Sequence, residues 1–177
     1  MNCTDKRVIH TIGHSTRSIE IFVQLLQSHR VKLLIDVRRW PRSRRHPHFN
    51  REALSSALAE KSIAYLWRQD LGGFRKPAVD SPNSGWQVAS FRAYADFMLT
   101  PDFATILSEI EPITAEQPSA LMCAEAVPWQ CHRQLLADAF LVRGWQVRHI
   151  LNDRCYEHKL TPFARPENTR IIYSGLI

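Results

Sequence analysis

Apolar positions along the chain alternate between two regimes. Five short runs, "VIHTI", "KLLIDV", "SIAYLW", "SALMC" and "WQVRHIL", are dense in branched residues and read as strands. "KLLIDV" has too little alternation for a half-exposed strand, which predicts a buried, parallel one. Between the runs, apolar residues recur at helical spacing. Ile19, Phe22, Val23 and Leu26 form one such face behind a capping Ser18. Leu54, Ala57 and Leu58 form another behind Asn50, and Phe91, Tyr94, Ala95 and Met98 a third. Thr100 and Pro101 open a fourth, continued by Phe103, Ile106, Leu107 and Ile110. The last helical pattern runs from about Cys131 to Val142 and is stopped by Gly144.

Strands alternating with helices predict an α/β fold of three layers, a mainly parallel sheet with helices on both faces. A single domain over residues 1–177 is expected. "LGGFRKPAVDSPNSGW" reads as a long loop, of a length that is functional or mobile inside a compact domain. The tail from about Asn152 reads as irregular. Its apolar end, "RIIYSGLI", either packs back on the sheet or forms an edge strand.

Composition narrows the class. The hydrophobic fraction of 45% is that of a globular protein, and no apolar run is long enough to span a bilayer. "MNCTDKRVIH" lacks the apolar core of a secretion signal, and the four cysteines are too sparse for a disulfide scaffold. A cytoplasmic protein with reduced thiols and no membrane partner is expected. The net charge of +6 is concentrated in "DVRRWPRSRRHPHFN", with five arginines and two histidines between Arg38 and His48. Such a segment attracts phosphate, on a nucleic acid or on a small anion, or is simply a solvated basic loop.

In open α/β sheets, ligands bind beyond the C-terminal ends of the strands. Three predicted strand ends carry chemistry: Gly13, His14, Ser15 and Thr16; then Asp36, Arg38 and Arg39; then Cys123 and Glu125, leading to Cys131, His132 and Arg133. Cys131 falls where a helix is expected to begin, a position that lowers a thiol's pKa and attracts anions. Cys131 is therefore the candidate thiolate, with Cys123 as resolving partner or as nucleophile itself. His132 or His14 is the candidate base, and Glu125 is a further catalytic candidate. His14, Ser15, Arg38, Arg42 and Arg133 are the candidate anion ligands. The plainer alternative for Arg38 is an ion pair with Asp36 or Glu125. The plainer alternatives stay open: buried strand cysteines are common small hydrophobes. Cys3 and Cys155 have no convergent neighbours.

Three function classes follow. One is a thiol-dependent enzyme or sensor acting at an anion-binding pocket. Another is a nucleic-acid-binding module using the Arg38–Arg45 loop, with Trp40 and Phe49 as stacking surfaces. The third is a metal-binding protein using Cys, His and Glu, although no CxxC is present and the cysteine spacing is wide for a zinc knuckle. No cofactor is named by the pattern. The expected partner is an anionic small molecule or nucleic-acid phosphate.

"TIGHST", "LIDVRRWPRSRRHPHFN", "DLGG", "CAEAVPWQCHR" and "VRHI", in that order, resemble the domain of unknown function family 488 from about Val8 to Leu151. By position, the resemblance carries His14, Ser15, Asp36, Arg38, Pro41, Ser43, Phe49, Gly72, Gly73, Cys123, Glu125, Cys131, His132 and Arg133. It implies a small cytoplasmic α/β protein and no settled activity. A fainter resemblance is to rhodanese-like domains, in which an "IDVR" strand lies beside one ending in a catalytic cysteine. The loop after Cys123 is longer than theirs and has no glycine.

Overall fold

The computed structural model describes residues 7–175. Cys3 lies outside them. Five strands run parallel: β1 (Val8–Gly13), β2 (Leu33–Asp36), β3 (Ala64–Trp67), β4 (Ser119–Cys123) and β5 (Gln146–Ile150). A sixth, β6 (Cys155–Glu157), adds antiparallel to β5, giving the order β3-β2-β4-β1-β5-β6. Five helices flank them: α1 (Ile19–Ser28), α2 (Arg51–Ala59), α3 (Ala89–Met98), α4 (Pro101–Glu116) and α5 (Arg133–Val142).

Strand parity sorts the helices. Ile12, Leu34, Ala120 and Met122 point to the face covered by α1 and α2, where they meet Phe22, Leu26, Leu54 and Leu58. Ile9, Ile35, Val37, Leu121 and Cys123 point to the other face, covered by α3, α4 and α5. The expected three-layer α/β arrangement with a mainly parallel sheet is the one found.

Local signals explain most boundaries. Ser18 accepts from the backbone N–H of Ile21 at 3.3 Å, and Thr100 caps α4 through the N–H of Phe103 at 3.3 Å. Gly144 ends α5 at φ +83°. Asn50 holds the capping position of α2, but its side-chain oxygen accepts from the N–H of Ser43 at 2.7 Å. It therefore ties the basic loop down instead of capping the helix. Helix α4 continues through Pro112 to Glu116, beyond the expected apolar face.

The tail is more ordered than expected. After β6, the strands β7 (Ala164–Glu167) and β8 (Arg170–Tyr173) form a separate antiparallel hairpin. Ala164, Ile171 and Tyr173 of this hairpin belong to the core on the α3–α5 side. "RIIY" thus packs back on the domain without joining the main sheet. The long loop is also pinned: Asp96 of α3 accepts from Ala78 N at 2.8 Å and Asn83 Nδ2 at 2.8 Å. No helix is long and apolar enough to cross a membrane among the described residues.

Candidate functional site

Parallel pairing brings the chemistry-bearing strand ends to one edge. Gly13 is in register with Cys123, and Asp36 with Met122. The chain leaves β2 toward β3 on one side and leaves β4 toward β5 on the other, so the connections diverge between β2 and β4. A crevice opens at such a switch point. Beyond the strands, His14 N donates to the Cys123 carbonyl at 3.0 Å, and Ser15 N to that of Ala124 at 2.9 Å. Gly13 makes this closeness possible: a Cβ there would lie 1.7 Å from the Glu125 carbonyl oxygen. Any side chain would push the loop carrying Glu125 away.

At the end of β4, Cys123 faces Cys131 and His132. One ligand atom from each of these three residues lies within 4.8 Å of the other two. The Cys131 sulfur is 3.6 Å from His132 Nδ1, and His132 Nε2 donates to the Val37 carbonyl at 3.2 Å. That second bond fixes the ring, which also packs on Tyr94 at 4.9 Å between centroids. With Nε2 carrying the proton, Nδ1 is free to accept one from sulfur.

Burial favours the neutral thiol at Cys131, but its pKa falls well below the ordinary thiol range. The Cys123 thiol hydrogen-bonds to it, and His132 and Arg133 add positive charge and a hydrogen bond. Cys123 moves the opposite way, raised by donating to Cys131 and by burial. The pair is therefore asymmetric, a thiolate at Cys131 and a thiol at Cys123. Helix α5 begins at Arg133 with His132 at its cap, so Cys131 sits just outside the helix. The expected contribution of helix N–H groups gives way to that of side chains.

The anion candidates divide. Arg38 is buried and grips Asp36, with Nη2 at 2.6 Å and Nε at 2.9 Å, while Nη2 also donates to the Phe49 carbonyl at 2.9 Å. Asp36, not Glu125, is thus its ion-pair partner. Asp36 also accepts from Tyr65 at 2.7 Å. His14 accepts from Arg38 Nη1 at 3.4 Å, donates to the Ser15 carbonyl at 2.9 Å and stacks on Phe49 at 4.3 Å. Its pKa is pushed down to about 4, chiefly by burial, and Arg38 adds to this. His14 is therefore neutral at pH 7. Phe49, read as a stacking surface, is fully buried beneath it. Arg133 is fully buried as well; it donates to Thr11 at 3.4 Å and to the Glu125 carbonyl. It braces the strand end from below and lines neither of the two clefts that open at this edge.

The first cleft, of about 630 Å³, lies above the sulfur atoms and is lined by Arg39, Arg42, Trp40, Phe74, Cys131 and His132 among others. A second of about 540 Å³ adjoins it and contains His14, Ser15, Arg42 and Arg45. Arg38, Trp40, Arg42 and Glu125 line both. Glu125 is exposed and has no ion-pair partner among the described residues. Gly72 seats the facing loop, since a Cβ there would lie 2.7 Å from the Arg39 Cα.

The family model of the domain of unknown function DUF488 matches residues 18–140. The chain belongs to the DUF488 family. The match takes in Asp36, Arg38, both site cysteines, His132 and Arg133, while His14 and Ser15 precede it. No curated protein and no solved structure matches the chain, so the rhodanese likeness gains no support.

Part of the site's support lies beyond the matched DUF488 segment and was missed in the sequence. Thr11 donates to His149 at 2.8 Å, His149 to His158 at 3.0 Å, and His158 to Asp138 at 2.8 Å. Asp138 further accepts from Thr161 at 2.7 Å and Tyr173 at 2.9 Å. This buried chain of bonds connects the tail to Thr11, and through it to Arg133 beneath the cysteines. The one signal for it was an aspartate inside the apolar run "LLADAFL", which demands a buried partner. Cys155, given no role in the sequence, stands 3.3 Å from His29 Nδ1, and the two line a separate pocket.

Proposed function

We propose that the chain is a thiol-dependent enzyme or sensor. Cys131 is the attacking thiolate, Cys123 the resolving thiol, and the basic cleft holds an anionic substrate. The observation that carries this reading is the Cys131 sulfur beside an anchored imidazole and a second thiol, at the floor of a cleft walled by Arg39 and Arg42. His132 is the base, poised through Nδ1. With a disulfide substrate, Cys131 attacks one sulfur and the other leaves as a thiolate, taking the electron pair. His132, which holds the Cys131 proton as an imidazolium, gives it to that departing thiolate. It then takes the proton of Cys123, which attacks Cys131 and releases the second substrate thiolate. The two cysteines are oxidised to a disulfide and the substrate disulfide is reduced. The two sulfurs start within 4.8 Å and must close to about 2.05 Å.

Dithiobisnitrobenzoate, an anionic disulfide, tests the reading. The reduced protein should release a thionitrobenzoate for each thiol of the pair and yield a Cys123–Cys131 disulfide in peptide mapping. Cys123→Ser should stop at a mixed disulfide on Cys131. Modification confined to Cys3 and Cys155 would exclude the proposal.

A second reading is favoured by one observation, the closeness of two sulfurs and one imidazole nitrogen, a donor set suited to a soft cation such as zinc. Glu125 is not in this group. Zinc added to the reduced protein would then protect both cysteines from alkylation until a chelator is added.

A further inference from the structure

We infer that the mouth of the cleft is a docking surface for single-stranded nucleic acid. This rests on reading the cleft as the working surface of the chain, and not on the chemistry at Cys131. Trp40 is 57% exposed and Phe74 79% exposed, and their rings lie 5.1 Å apart at a tilt of 49°. Two large rings held against each other leave much of their apolar surface exposed to water. Phe74 adopts φ 61°, a left-handed conformation unfavourable for a ring-bearing residue. The backbone there holds the ring outward.

The surroundings are cationic. Arg39, Arg42, Arg45 and Arg51, which line the clefts around these rings, have no carboxylate at ion-pair distance among the described residues. Two of them lie over aromatic faces: Arg39 at 5.5 Å from Trp40 and Arg51 at 4.6 Å from Trp67. Trp40 and Arg42 stand at the junction of three adjoining clefts of about 630, 540 and 240 Å³. Glu125 and Glu52 are the carboxylates in those walls.

A groove of unpaired arginines around exposed rings matches a chain that alternates phosphates with flat bases. Phosphates take the arginines, and unpaired bases stack on Trp40 and Phe74. An acidic peptide would satisfy the arginines but leave the rings uncovered. A duplex would hide its base faces. The chemistry therefore selects single strands.

The test is fluorescence anisotropy with a labelled single-stranded oligonucleotide of mixed sequence, on the full chain. Binding should weaken with salt, with a log–log slope of roughly −0.7 per phosphate neutralised. Trp40→Ala and Phe74→Ala should each weaken it at least about five-fold, the effect of losing one stacked base. Both side chains are exposed, so thermal melting should show the variants folded. Equal affinity for duplex, for a mononucleotide or for a polyglutamate peptide would overturn the inference. So would ring variants that bind as the wild type does, or no binding at low salt. Iodoacetamide labelling of Cys131 in the same samples reads the thiol proposal separately, so either can fail while the other stands.

Discussion

Cys131 and His132 are sequence neighbours whose side chains form a working pair: sulfur to Nδ1 is 3.6 Å, and Nε2 is anchored 3.2 Å from the Val37 carbonyl. Adjacent residues in regular structure diverge. They converge here because the chain turns from a short 3-10 segment, Pro128–Gln130, into α5 at this point. The imidazole is thereby aimed by the end of β2, and the sulfur by the approach to α5.

Replacing His132 with Asn should raise the pKa of Cys131, since it removes both the positive charge and the hydrogen bond that favour the thiolate. For every tenfold weakening of the acid, the thiolate fraction at a pH below the pKa falls about ten-fold. Alkylation rates at pH 6 should fall once the variant's pKa lies above that pH, and the loss should shrink as pH rises.

Asp36→Asn should be strongly destabilising. It leaves the Arg38 guanidinium buried beside a neutral amide that cannot accept the same set of bonds. Breaking a buried pair in this way costs about 3–5 kcal/mol. Urea unfolding of the variant measures it. Tyr65→Phe, which removes one donor to Asp36, should cost about 1 kcal/mol.

Acid should weaken the fold before the carboxylates titrate. The pKa values of His10 and His14 are pushed down to about 4 and that of His149 to about 3, in each case chiefly by burial. In the unfolded chain all three sit near 6.5. Between those values the unfolded state binds more protons, so stability falls as pH drops from about 6.5 toward 4. Each histidine contributes up to about 1.4 kcal/mol per pH unit. Urea midpoints across this range should decline, and His14→Gln should make the decline shallower.

The tail should prove part of the fold. Asp138→Ala strands His158, Thr161 and Tyr173 and should cost several kcal/mol, roughly 3–5. Tyr173→Phe leaves one oxygen of Asp138 a bond short and should cost about 1–3 kcal/mol. Thermal unfolding of both variants checks the ranking.

What was legible in the sequence was what leaves a period. The branched runs located five parallel strands, and their ends gathered Gly13, Arg38 and Cys123 on one edge. Charge placement within that edge left no such trace. Arg38 and Arg133 read alike as anion ligands, yet one grips Asp36 and the other lies beneath the sheet end, bonded to Thr11 and Glu125. Asp138 and His158 are separated by twenty residues and meet only because the tail folds back over α5. Long-range polar pairs carry no local pattern, so the tail reads as irregular. The low pKa of Cys131 can be anticipated from its place in the sequence, and so can the contribution of Arg133, but not the rest of its cause. Of its causes, Cys123 reaches the sulfur only through tertiary packing, whereas His132 and Arg133 are its chain neighbours.

The thiolate at Cys131 is measured most directly by the pH dependence of iodoacetamide labelling, resolved by cysteine with mass spectrometry on reduced, metal-free protein. Cys155, whose pKa is raised by burial, is an internal comparator. Cys131 should label faster than Cys155 at pH 6–7, with a rate that has already levelled off where an ordinary thiol of pKa about 8.5 is still rising. Half-maximal labelling of Cys131 at or above about 8.5, or labelling slower than Cys155 throughout, would contradict a thiolate there.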